Sequence, residues 1–112
     1  MATTDYILGE SGTLGFPIDQ FDGTPMPLND LGLRLVIYLP GAELIIPGRA
    51  ESGELATDDG QVINHPSIMA FDLTPENMAV RPRPYRCALQ TDDGTGWQTL
   101  PGEEDIINVR MP

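Results

Sequence analysis

Glycine and proline punctuate this chain from end to end. Its 12 Gly and 11 Pro among 112 residues are spread out, not gathered in one tract. They leave no room for the runs of roughly 10–15 residues over which a helical pattern would have to hold. Between the punctuation marks lie short apolar runs, several of them alternating in polarity. Many short strands joined by turns satisfy both features, and long helices satisfy neither.

The clearest strand is residues 33–39, where Leu33, Leu35, Ile37 and Leu39 share one face and Arg34, Val36 and Tyr38 the other. Pro40-Gly41 ends it, and residues 43–46 return as a short partner that Pro47-Gly48 is expected to close. Residues 13–18 form a first strand, which Pro17 confines to a sheet edge or a strand end. Asp58-Asp59-Gly60 reads as a turn, residues 61–63 as a brief strand and Asn64-His65-Pro66 as a corner. Residues 67–73 follow, with Met69, Phe71 and Leu73 on one face. Asp92-Asp93-Gly94 lies in a hairpin loop between strands 85–90 and 97–100, and residues 106–111 close the chain.

Residues 72–90 carry the connection between two of these strands. Thr74 suits an N-cap and Pro75 the first helical position, so one short helical turn is expected near 74–80. Arg81 and Arg83 each precede a proline, which drives both into extended geometry and stops the turn. Tyr85, Cys87 and Leu89 then alternate with Arg86, Ala88 and Gln90. Seven to eight short strands and one helical turn predict an all-β antiparallel sandwich. Residues 1–12 form an N-terminal arm or edge strand, and residues 13–112 a single domain.

The net charge is −11, and all six basic residues are arginine. So acidic a chain makes a poor ligand for nucleic acid or for an anionic membrane. The N-terminus shows no basic region followed by an apolar run, so neither signal peptide nor membrane span is expected. The single cysteine excludes an internal disulfide and fits a reducing compartment.

Residue-level chemistry is sparse. His65 stands alone, and Cys87 falls on an apolar strand face, as a buried and inert thiol would. One Cys and one His fall short of a zinc set. The adjacent acids at 58–59, 92–93 and 103–105 read as turn and surface chemistry rather than an EF-hand, with calcium bridging between loops the alternative. No cofactor, metal or catalytic group is expected. Tyr6, Ile7 and Leu8 are the apolar part of the arm, and Arg81, Arg83 and Arg86 form a basic corner; both are candidate partner contacts. Trp97 and Tyr38 are candidate stacking platforms for a ligand.

Two resemblances add to this. The turn at 73–80 followed by Tyr85-Arg86-Cys87 resembles strand F of an immunoglobulin variable domain, with Tyr85 at the tyrosine-corner position. More of the chain, through residues 28–39, 58–60, 71–77 and 85–94, is similar to the Ig-like N-terminal domain of phage baseplate upper proteins and related tail modules. Members of that family often continue into coiled-coil or receptor-binding segments, which this sequence does not include. The resemblance therefore implies a small, non-enzymatic virion protein of the tail, baseplate or capsid surface. It would be made in the host cytoplasm and act by docking on other virion subunits and on itself. A carbohydrate- or cell-surface-binding module is the alternative.

Overall fold

The structure, a computed structural model, describes residues 3–20, 22–56, 62–100 and 105–112. Its strands are β1 (Thr3–Ile7), β2 (Gly12–Pro17), β3 (Gly32–Leu39), β4 (Ala42–Ala56), β5 (Val62–Leu73), β6 (Pro84–Asp92), β7 (Trp97–Thr99) and β8 (Asp105–Arg110). They run in the order β1-β8-β6-β3-β4-β5-β2, with β7 beside β8 on the same edge of β6. The fold is all-β, as the sequence predicts.

The expected two sheets are instead one continuous sheet curled into a half-barrel. Strand β4 makes it so. Its first residues, up to Pro47, pair with β3, and from Gly48 onward they pair with β5. Pro47-Gly48 thus does not end the strand but marks where it changes partner. Proline lacks the N–H that a continued ladder on β3 would use. Gly48 lies opposite Phe71, whose Cε1 is 2.5 Å from where a β-carbon would stand, so the bend closes on a glycine that the ring covers. The sheet can be divided at this switch into a front part (β1, β8, β7, β6, β3, start of β4) and a back part (rest of β4, β5, β2). The neighbours β2–β5–β4 and β3–β6–β8 are those of an immunoglobulin sandwich.

Three further expectations change. The pairing of β1 with β8 is parallel, whereas an antiparallel sheet was expected. No helix forms at 74–80. Thr74 and Asn77 cap each other, Asn77 N–H donating to Thr74 Oγ1 (3.2 Å) and Thr74 N–H to Asn77 Oδ1 (2.8 Å), and one bond from Met78 N–H to the Thr74 carbonyl closes the turn. The pre-proline residues Arg81 and Arg83 leave no length for a second turn. Finally, Asn64-His65-Pro66 does not separate two strands; β5 runs through it and bends at a bulge. Glu51 pairs with Ile68 and Gly53 with His65, so β5 carries one extra residue there. The turn at 58–60 lies outside the described residues.

The core fills the inside of the curl. Leu35 and Ile37 from β3 and Met69, Phe71 and Leu73 from β5 line it, as their alternation predicts, and Phe16 meets Phe71 edge-on at 5.9 Å between ring centroids. Burial of such side chains is worth roughly 1.5–3 kcal/mol each. Cys87 is buried among them. Tyr85 is buried too, and its hydroxyl donates to the Arg81 carbonyl at 2.8 Å, the tyrosine-corner bond.

Beyond the bulge the β4–β5 hairpin turns back over the outside of the back sheet. Leu55 and Ile63 pair with each other, and both approach Gly15, where a β-carbon would stand 2.7 Å from Leu55 Cδ2. Gly53, at φ +85°, supplies backbone geometry that only glycine adopts without strain. His65 fastens the bend: its Nδ1 accepts the Ser67 N–H (2.9 Å), which leaves the ring proton on Nε2, facing Asp19 Oδ1 at 2.8 Å.

Candidate docking surface

Alternation along the front strands sends Leu33, Leu35 and Ile37 inward, so Gly32, Arg34, Val36 and Tyr38 face outward. Register then assembles rows across the strands. Arg34 lies between Gln90 and Pro47, Val36 between Ala88 and Ile45, and Tyr38 beside Glu43. Of the five large hydrophobic side chains exposed among the described residues, three sit on this outer face: Tyr38 (41%), Ile45 (47%) and Trp97 (40%). Val36 in the middle is wholly buried although it points away from the core.

One end of the face is pre-ordered. The Trp97 ring reaches across to β3 and lies over Gly32, with Cη2 3.1 Å from the site of an absent β-carbon. The Arg34 guanidinium stacks on the ring at 4.1 Å from its centroid, while its Nε donates to Gln90 Oε1 (2.8 Å), whose amide donates to Thr99 Oγ1 (3.1 Å). A cation over an indole face contributes about 0.5–1 kcal/mol at an exposed site. Trp97 is therefore an outer-face residue held by a glycine and an arginine, with one ring face already occupied.

The candidates named from sequence are scattered by the fold. Tyr6 is 5% exposed and belongs to the core, with its hydroxyl on the Glu10 carbonyl (2.6 Å). Burial first, and then the Glu10 and Glu76 carboxylates, hold its phenol above the ordinary tyrosine value. Ile7 and Leu8 are half-buried, and Leu8 N–H bonds the Arg110 carbonyl. Arg81 and Arg83 are exposed on the corner, where Arg83 stacks over Tyr85 at 5.6 Å. Arg86 is exposed too, but on the outer face of β6, so the basic cluster divides between two surfaces. Trp97 and Tyr38 do share a face, near its opposite ends.

Ile45, Arg34 and Glu43 are the residues of this surface that the sequence left unmarked. The run Leu44-Ile45-Ile46 has no alternation, so nothing local says that only Ile45 faces out; the pairing with Val36 decides it. Among the described residues no group of three His, Cys, Asp or Glu is placed to hold a metal ion. No helix among them is long and apolar enough to cross a membrane. Searches of family models, of characterised proteins and of solved structures returned no match to the chain.

Proposed function

We propose that the chain is a non-enzymatic structural protein of a tailed-phage particle, at its tail, baseplate or capsid surface, and that it works by docking. The observation that carries the docking is the outer front face, where Tyr38, Ile45 and Trp97 remain exposed together. Three of the large exposed apolar side chains gathered on one face among polar groups support a protein contact there. The phage setting is supported by the sequence resemblance to baseplate Ig-like domains, made after synthesis in the host cytoplasm. Mass spectrometry of purified particles tests it: the chain is expected among the virion proteins, and its absence there ends the reading. In particles that retain it, Ile45→Glu should reduce its incorporation.

A carbohydrate- or cell-surface-binding module is the second reading, favoured by the exposure of Trp97 and Tyr38 on one face. Such a module would stack sugar rings on them. A glycan array should then give hits that Trp97→Ala abolishes, and an array without hits dismisses it.

A further inference from the structure

We propose that the outer front face is a two-fold, self-complementary contact and that its occupant is a second copy of this chain. This rests on the docking reading and names its partner.

The first argument is charge. Among the described residues the face carries Arg34 and Arg86 against Glu43 and Asp92, two of each sign. The chain as a whole is −11, so that excess is carried elsewhere. Two copies repel one another across their acidic surfaces and meet without that cost only through a balanced face. The same balance gives a strongly basic partner no reason to choose this face over the acidic remainder.

The second argument is pattern. A closed dimer needs a surface complementary to itself. Across β3 and β4 the rows read Arg34/Pro47, Val36/Ile45 and Tyr38/Glu43. A two-fold axis lying in the contact plane along the middle row sets the exposed Ile45 of one copy on the partner's Ile45, with the buried Val36 beneath as support. The Arg34/Pro47 row then meets the partner's Tyr38 and the partner's Glu43. The centre is apolar on apolar, and each flank sets a guanidinium against an aromatic ring and a carboxylate, twice by symmetry. Trp97, beyond Arg34 from the axis, stands at the rim. Stacked sheets accommodate this at the usual offset of about 30° between strand directions.

The third argument is size. Four strands about 4.8 Å apart and some seven residues long give a footprint of roughly 20 × 24 Å. That is below the ~800 Å² per partner of a standard interface, so the dimer is concentration-dependent rather than permanent.

Sedimentation equilibrium on the purified chain from about 1 μM to about 1 mM covers the range in which such a contact dissociates. The wild-type protein should pass from monomer to dimer. Glu43→Arg and Arg34→Glu should each weaken dimerisation on the order of ten-fold or more, because each reversal occurs twice. The double variant Arg34→Glu/Glu43→Arg should recover it. Circular dichroism and thermal melting of Glu43→Arg check the fold, since Glu43 is exposed. A wild-type chain monomeric throughout, a dimer indifferent to both reversals, or singles that weaken without recovery in the double variant overturns the inference. A monomer that nonetheless needs Ile45 for incorporation into particles places another subunit on this face. That outcome also overturns self-association and leaves the docking reading standing.

Discussion

Tyr85 shows how much one side chain can fix. Its ring is part of the core while its hydroxyl holds the Arg81 carbonyl, tying the Pro-rich corner to the start of β6. Tyr85→Phe keeps the ring and removes the bond, so it should cost about 1 kcal/mol in urea unfolding with an unchanged denaturant slope. No loss of stability would mean that the corner is held by its prolines alone. Two other residues repeat one small device. In Asp22-Gly23-Thr24 and Asp93-Gly94-Thr95 the carboxylate accepts the threonine hydroxyl (2.6 and 2.5 Å) and its backbone N–H. The hydroxyl bond first, then the backbone bond, lowers both carboxyl pKa values. A lowered folded value stabilises above the unfolded Asp value of about 3.9 and loses that contribution as pH falls through the folded value. By NMR titration Asp22 and Asp93 should titrate below that value. Thr24→Ala and Thr95→Ala should each raise only the neighbouring aspartate.

At the scale of elements, two strands take their form from single residues. β2 is a sheet edge, as Pro17 predicts. Ile18 N–H bonds the Ser67 carbonyl, so alternate residues face β5 and the nitrogen of Pro17 faces out, where a missing donor disturbs no ladder. It also leaves the edge less able to recruit a foreign strand. The distal β4–β5 hairpin depends on Gly15 in a different way, because Leu55, Ile63 and Ile68 converge where a β-carbon would be. Gly15→Ala should lift the hairpin rather than unfold the sheet. Hydrogen exchange should rise across 53–56 and 62–65 and stay near wild type in β3 and β6. Uniform loss of protection would mean that the fold-back is an integral part of the core.

At the scale of the whole molecule, charge and shape pull against each other. The Cα radius of gyration is 13.7 Å, close to the ~13 Å of a compact domain this long, so the half-barrel is closed down on its core. A compact body at −11 repels itself. Raising ionic strength from about 0.01 M to about 0.3 M shortens the screening length several-fold, and the melting temperature should rise by a few degrees. A melting temperature that falls with salt would mean that paired charges outweigh the repulsion. The visible ion pairs argue against that. Arg49 with Glu51 and Asp72, and Arg110 with Asp5, are all substantially exposed, and exposed pairs contribute little.

The sequence alone determined what depends on local chemistry. Alternation fixed which residues of 33–39 and 69–73 face the core, and Gly/Pro punctuation fixed that strands rather than helices would form. The resemblance of Tyr85-Arg86-Cys87 to an immunoglobulin strand F marked Tyr85 as a tyrosine corner. Only tertiary structure decided the rest, because those features depend on partners distant in the chain. Pro47-Gly48 looks locally like a stop, and becomes a change of partner only because β5 arrives beside it with Phe71. Ile45 gained its exposure from pairing with Val36. Trp97 is held on the outer face by a glycine and an arginine of β3, 65 and 63 residues upstream. A candidate surface built from β3, β4, β6 and β7 has no contiguous signature, since register, a long-range property, is what brings its side chains to one face.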